Sequence, residues 1–557
     1  MNSKSDKTNS SSSQLSNIQK VFYGGLLLGI FFFAGNGVIG LTHPDEVFYT
    51  QTAVEMLQHK TWLTPYLFDG PNFEKPIVTY WLLMIAFKVF GVTAFGARFF
   101  PAVFASIGII GIYFLGKIAF RDEKKALCGA LVMMSSALYF GLARTVFTDM
   151  FFTVFIELAL VSFYWGYSVA KRKSLGTILF WVFAALAALS KGILGLAIPF
   201  AVMFVFLVLR KELKFIFNRV FVIGFLLFLL IALPWYLFMI KTFGQSFISE
   251  FFYNDHVRRL LEAEHGSNDK WFFYPLSMVA LMMPWSLFLV AAAGGFFKRV
   301  WEKSSPIYLF LLCWLAVTFT VFQIAHSKLV SYILPLFPVL AIITGDKVAE
   351  MIEKQKDKKF FIISALLLPI VVFVGSIVGF IHYSKYIPAT SFVFSLLAGY
   401  FGVLIISAVL IWKRDNPSTR MGMVMIQIPL LLIVALSAHR LYEDYATSQN
   451  ACRYLSREYK GDAPIVSSRM FIRAVRFFTQ KNVVFVNFSG RQFFSPHPVA
   501  ELNDIQGVAA FVRAHPLVYG VLKKHEVQDL QNATAQPYSV EVLSVFGDQF
   551  VVKMALK

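Results

Sequence analysis

Charge is scarce in this chain. Of its 557 residues only 15% are Asp, Glu, Lys or Arg and 57% are hydrophobic, where an ordinary soluble domain has about 25% and about 45–50%. That balance excludes an ordinary soluble globule, a disordered chain and a fibre. Cysteine is scarcer still. Cys128, Cys313 and Cys452 are the only three, and the first two lie in apolar runs, so no disulfide framework is implied. The sequence has no P-loop, no dinucleotide Gly fingerprint and no internal repeat. Acids are few beside bases, 32 against 51, for a net charge of +19. In a soluble protein that excess would suggest nucleic acid. Here it reads as the basic cytoplasmic loops of a membrane protein, and no nucleic-acid partner is expected.

What is present in abundance is apolar sequence, with 62 Phe. Residues 1–20 are Ser/Asn/Lys-rich and read as a disordered cytoplasmic tail. Residues 21–41 form the first expected span, with no small-residue cleavage site after it. Further spans are expected over 99–118, 126–142, 150–170, 175–189, 192–209, 220–240, 271–297, 306–325, 329–345, 360–381, 391–412 and 421–438, which makes about thirteen. Loop charge orients them. Lys4, Lys7 and Lys20 precede the first span, and Lys/Arg clusters recur at 121–125, 171–173, 210–219, 298–303, 347–359 and 413–420, always on one side. The positive-inside rule puts those loops and the N-terminus in the cytoplasm and the C-terminus outside. Segment 76–91 is apolar but short and is interrupted by Lys88; it reads as an interfacial helix within an outer loop over 42–96. From about 441 to 557 the composition shifts to a small α/β domain: helix over 451–460, strand over 463–468, helix over 470–481, strand over 482–488, and a hairpin of 538–546 and 549–554 around Gly547-Asp548.

The outward loops carry unusual polar residues. Asp45-Glu46 follows the first span and begins an expected amphipathic helix over 47–59, where acids also suit the helix dipole. Phe73-Glu74-Lys75-Pro76 places Lys75 at headgroup depth, either snorkelling or gripping phosphate. Arg144 and Asp149 share a very short loop, Lys191 stands alone at a turn, and Asp255-His256 with Arg258-Arg259 lies in a long outer loop. His326-Ser327-Lys328 with Tyr332 completes the face. Each alone reads equally as a cap or ion pair. Together they put a cation beside a polar or acidic group at nearly every outward turn, as an anionic lipid headgroup requires.

These residues resemble the GT-C membrane glycosyltransferases of the ArnT and protein O-mannosyltransferase type. The resemblance rests on Asp45-Glu46-x-x-Tyr49 with Ala53 and Met56-Leu57, Phe73-Glu74-Lys75-Pro76 with Tyr80-Trp81, and Arg144 with Thr148-Asp149-Met150. It rests also on Lys191-Gly192, Pro234-Trp235, Pro284-Trp285 and Ser327-Lys328-Leu329 with Tyr332, Leu334 and Pro335. It covers roughly residues 21–345. It implies an α-helical GT-C fold and an inverting glycosyltransferase at the periplasmic face. The implied donor is a sugar on polyprenyl phosphate and the implied acceptor lipid A or another envelope lipid. On the same ground Asp45, Glu46 and Asp149 are the expected catalytic acids. Lys75, Arg144, Lys191, Arg258, Lys328 and Tyr332 are the expected substrate-binding residues, and Glu74 and His256 the expected ligands of a divalent metal. One departure stands out: such enzymes usually read Asp-Glu-x-Arg-Tyr, and Phe48 replaces that cation. Galacturonic acid, a hexosamine or mannose therefore stay open as the sugar, and a protein hydroxyl as the acceptor. A transporter is disfavoured, because the charges cluster at one face and no related halves occur. The C-terminal domain has no WWD-type sequence, which counts against an oligosaccharyltransferase.

Overall fold

Hydropathy dictates most of the architecture. The computed structural model describes residues 17–264, 266–354, 358–382, 390–413, 416–490, 497–533 and 537–557. Most of the expected tail, residues 1–16, lies outside the described residues. Each expected span coincides with helix. Among the described residues nine helices are long and apolar enough to cross a bilayer, and a tenth span is a pair, Phe273–Leu281 and Ser286–Trp301, bent by 113°. The remaining three of the thirteen are shorter. Tyr23–Phe33 and Leu194–Arg210 are compact apolar helices, and residues 126–142 break at Ser135-Ser136 into Glu123–Met134 and Ala137–Leu142. The expectation of thirteen full spans is corrected to that extent. At the break, Ser135 Oγ accepts the Trp285 indole N–H at 2.9 Å, so a polar pair occupies the place of a helical turn.

The segment with Lys88 is a 13-residue helix, Val78–Phe90, too short to cross, and it stops at Gly91 with φ +72°. Lys88 sits over the Trp62 ring at 4.6 Å, which accommodates an ammonium on an apolar helix. The helix expected at 47–59 is Asp45–Gln58, but it is not amphipathic: every residue from Glu46 to Met56 is buried. It is enclosed because the C-terminal domain covers the side that loop residues would leave to water.

That domain is an open six-stranded sheet in the order β5-β4-β3-β6-β8-β7. Its strands are β3 Ile465–Ser468, β4 Val483–Val486, β5 Glu501–Leu502, β6 Leu517–Lys523, β7 Tyr538–Phe546 and β8 Gln549–Leu556, and β1 Tyr66–Leu67 with β2 Gly70–Pro71 form a separate small hairpin. β3 runs parallel to both β4 and β6, and β8 is antiparallel to β6 and β7. Val466, Val486, Val518, Leu522, Val552 and Met554 fill its core. The domain is locked to the bundle side by Arg476 of helix Ile472–Thr479. Its guanidinium reaches Glu55 Oε1 at 3.1 Å and Asp69 Oδ2 at 2.7 Å, with Glu55 fully buried. A buried carboxylate is tolerable only with such a partner.

Candidate active site

A cavity of about 550 Å³ lies between one end of the helix bundle and the C-terminal domain. Asp45, Glu74, Lys75, Asp149, Lys191, Arg259, Glu264 and Tyr332 line its floor, and Ser468, Arg469, Met470, Arg473, Lys523, His525 and Glu526 its roof.

On the floor, each cation is matched by a carboxylate. Lys75 Nζ donates to both oxygens of Asp255, at 2.9 and 2.7 Å, and to the Glu74 carbonyl at 2.9 Å. Lys75 is therefore held by a buried acid and does not snorkel. Arg259 bridges Asp255 and Glu264, each at 2.8 Å, and donates to the Tyr332 hydroxyl at 2.9 Å. Burial opposes ionisation of Asp255, but Lys75 and Arg259 outweigh it and hold the carboxyl below its usual range. Lys191 pairs with Asp149 at 2.5 Å and stands over the Tyr332 ring at 4.0 Å. The glycine after Lys191 is required twice over. Gly192 has φ +93°, and a Cβ there would lie 2.2 Å from His256 Nε2. Asp45, at the first turn of its helix, is exposed to the cavity.

Four expected site residues lie elsewhere, and each has a physical reason. Glu46 is fully buried and turned away from the cleft. It takes Arg98 at 2.5 and 2.8 Å, both donors of Thr42 at 2.9 and 2.8 Å, and the Val146 N–H at 3.0 Å. Burial raises its pKa, but Arg98 and these donors outweigh it and the carboxyl stays ionised. Glu46 thus ties the loop to two helices. Arg144 donates to the carbonyls of Phe31 and Ala34, closing the end of the first span. Lys328 pairs with Asp269 at 2.7 Å outside the cavity, and only its neighbours Leu329, Ser331 and Tyr332 reach the floor. Arg258 pairs with Glu262 at 2.7 Å and is 37% exposed; the cation in the cleft is Arg259.

The expected metal ligands do not fit a metal. His256 Nδ1 faces the Phe251 carbonyl at 2.8 Å, and Nε2 abuts Gly192, so neither nitrogen is presented. Glu74 faces Arg473 at 3.8 Å and His497 at 3.6 Å. Burial raises its carboxyl pKa, against the pull of Arg473, Lys75 and Arg259. Among the described residues no three His, Cys, Asp or Glu gather as a metal site. Sequence reasoning missed the whole roof. Arg473 stacks over Phe48 at 4.6 Å, so a guanidinium does stand at the position where Phe48 departs from the motif, brought there by another domain.

Comparison with known proteins bears on the fold and the sequence relationship. Residues 27–246 match the family described as dolichyl-phosphate-mannose-protein mannosyltransferase. Undecaprenyl phosphate-alpha-4-amino-4-deoxy-L-arabinose arabinosyl transferase 2 of Proteus mirabilis is 30% identical over 347 residues, covering 60% of this chain and 61% of that one. A similarly named transferase 1 of Pseudomonas fluorescens is 30% identical over 341 residues, covering 60% of each. The chain thus spans about three fifths of the length of these relatives. The crystal structure of ArnT from Cupriavidus metallidurans bound to undecaprenyl phosphate superposes with a TM-score of 0.77 at 17% identity, over 97% of this chain and 98% of that one. The chain is therefore a multi-pass membrane protein with the GT-C fold of ArnT, similar in sequence over 60% of its length to the aminoarabinose transferases.

Proposed function

We propose that the chain is an inverting glycosyltransferase of a bacterial inner membrane. It moves a sugar from a polyprenyl-phosphate carrier to lipid A or a related envelope lipid on the periplasmic side. The observation that carries this is one cavity holding an exposed carboxylate, Asp45, together with Lys75, Lys191, Arg259 and the Tyr332 hydroxyl, at one end of an apolar helix bundle. A lipid carrier can leave its chain among such helices and present its phosphate at that depth. The names of the similar transferases, and the undecaprenyl phosphate held by the superposable ArnT, support the same reading.

The step follows from the charges. An acceptor oxygen attacks the anomeric carbon from the face opposite the carrier. The bond from that carbon to the carrier phosphate breaks, and polyprenyl phosphate leaves with the electron pair. Lys75 and Arg259 share their positive charge between Asp255 and the phosphate on which negative charge grows. A phosphate acceptor is already ionised, so Asp45 stabilises the oxocarbenium-like carbon and positions the acceptor. A hydroxyl acceptor would give its proton to Asp45. Mass spectrometry of envelope lipids from cells with and without the chain tests this. A sugar mass on lipid A or another lipid is expected, lost with Asp45→Asn. Unmodified lipids beside newly glycosylated protein would move the chain to the protein O-mannosyltransferase class. For topology, a reporter fused at Lys557 should be active as alkaline phosphatase and dark as a cytoplasmic fluorophore.

A further inference from the structure

A second cavity, of about 860 Å³, lies among the membrane helices. Its walls come from the first span, from helix Glu123–Met134, from the end of helix Phe337–Lys354 and from residues 421–429. Lys124 is the single charged residue among the described ones that line it, and the rest are apolar. Helix Ala94–Phe120 measures how far its mouth lies from the candidate active site. Near the start of that helix Arg98 holds Glu46, the neighbour of Asp45. Arg121 caps its other end, about 35 Å away at 1.5 Å per residue. The cavity therefore begins beside Lys124 at the opposite end of the bundle, and no described residue lines both it and the cleft.

Its chemistry limits what can fill it. Ile30, Leu127 and Ile426, from three different elements, are 50%, 48% and 43% exposed, so the walls are open toward the hydrocarbon around the bundle. A Cβ on the lining Gly422 would meet nothing within 4 Å. Water gains nothing in such a space, because an apolar cavity stays dry. Residues 1–16, rich in Ser, Asn and Lys, are too polar to fill it. An acyl chain of the bilayer supplies the packing contacts that an empty space forfeits. The mouth adds charge. The Lys124 side chain is 73% exposed and meets Glu353, 47% exposed, at 3.8 Å, a pair too open to hold either group firmly. Arg121, also exposed, stands three residues earlier. The neighbouring charges are committed: Lys125 to Asp346 at 2.7 Å, Lys354 to Glu350 at 2.6 Å, and Asp122 to the backbone N–H groups of Lys124 and Lys125. Glu123 accepts from the Tyr113 hydroxyl at 3.3 Å. An anionic headgroup at this level meets Lys124 and Arg121 without breaking a buried pair.

We propose that this cavity seats the acyl chains of one anionic phospholipid from the leaflet opposite Asp45, with its phosphate at Lys124 and Arg121. The lipid fastens the first span to the three other membrane segments that wall the gap. Phe31 links it to the candidate active site. Its side chain lines the cavity, and its carbonyl accepts from Arg144 at 3.0 Å at the end of the span that leads to Asp45. The occupant is neither donor nor acceptor, and the inference stands apart from the glycosyltransferase reading.

The test uses the full chain, delipidated in mild detergent and then offered phosphatidylglycerol or phosphatidylcholine with the same acyl chains. Native mass spectrometry reads the lipid retained, and thermal melting reads its effect. Wild type should retain one phosphatidylglycerol per chain, at least about fivefold over phosphatidylcholine at equal supply, as basic side chains near an anionic headgroup provide. Its melting temperature should rise with that lipid by about 2 °C. Gly422→Phe, which puts a ring into the open space, should abolish both retention and the rise. Should that variant melt below delipidated wild type, Leu127→Trp fills the cavity from another wall and must show the same loss. Arg121→Gln with Lys124→Gln should keep retention and erase the preference between headgroups, and Arg121→Lys with Lys124→Arg should keep both. No retention by wild type, equal retention of the two phospholipids, or retention that survives both filling variants overturns the proposal. So does displacement of the retained lipid by equimolar polyprenyl phosphate, which would assign the cavity to the tail of the carrier.

Discussion

The floor and the roof of the cleft handle charge differently. On the floor, Lys75, Lys191 and Arg259 lie low in the structure and are neutralised in advance by Asp255, Asp149 and Glu264. A cation buried without a partner would cost several kcal/mol, so a site sunk at the end of a membrane bundle must carry its own counter-ions. Under the proposed function, a donor phosphate would bind by joining an existing network of ion pairs. Among the described lining residues of the roof, Arg469, Arg473 and Lys523 stand with Glu526, and Arg473 reaches across the cleft to Glu74 of the floor at 3.8 Å.

The sharpest break between chemistry and scaffold is within the acidic pair. Asp45→Asn should abolish transfer, by about 10²–10⁴-fold, with normal expression and folding. Glu46→Gln should instead lower yield and thermal stability, because it leaves Arg98 buried without its carboxylate. Purified-enzyme turnover set against detergent melting separates the two. The reverse pattern would exchange the roles of the two acids.

Removing the lock between the domains comes next. Arg476→Ala strands Glu55, which is fully buried, and should cost about 3–5 kcal/mol in the docking of the C-terminal domain. Limited proteolysis should then release that domain while the bundle persists. If the roof is part of the site, transfer falls with it. An undiminished rate in a proteolytically loosened protein would reduce the roof to scaffold.

A smaller effect distinguishes neighbours. Arg259→Ala should raise the donor requirement by roughly 10–100-fold, the loss of charged hydrogen bonds worth about 1.5–3 kcal/mol. Arg258→Ala, which removes an exposed pair with Glu262, should change it by less than about twofold. Transfer rates against donor concentration in liposomes decide.

That pair of arginines shows what the sequence could and could not convey. The spans, the hairpin at Gly547-Asp548 and the floor residues Asp45, Lys75, Asp149, Lys191 and Tyr332 were legible, because hydropathy and short local motifs carry them. The choice between Arg258 and Arg259 was not, since the segment Ile248–Arg258 is a π-helix and its widened turns shift which side chain faces inward. Strand β6 was missed because Gly520 interrupts it. A Cβ there would lie 2.8 Å from Val466 Cγ2, so the glycine marks close strand packing, while in sequence it reads as a break. Without β6, Arg469 and Lys523 have no reason to meet. Lys328 and Arg144 stand outside the cavity for the opposite reason: each sits beside cavity-lining residues in sequence, but its side chain satisfies a neighbouring acid or helix end.

The smallest expected effect lies at the seam between the two walls. His43 precedes the acid pair and meets Phe471, at the start of the roof helix, edge-on at 5.2 Å. Burial, and then the charge of Lys523, lower its pKa from 6.5 to about 4. The folded protein therefore keeps this ring neutral across a range where the unfolded chain binds a proton. Stability from this group is complete above pH 6.5 and is lost as pH falls toward 4, because protonation then favours the unfolded state. With the ring partly open to solvent, the loss should be about 1–2 kcal/mol by pH 4. Burial also raises the carboxyl pKa values of nearby Glu74 and Glu526, so the measurement must be a difference. Thermal melting of wild type and His43→Phe, which keeps an aromatic ring against Phe471 and cannot charge, should diverge as pH drops from 7 to 4, with the variant declining less. Parallel curves would mean that His43 is protonated or solvated at the seam, and that floor and roof meet there less tightly than the ring contact indicates.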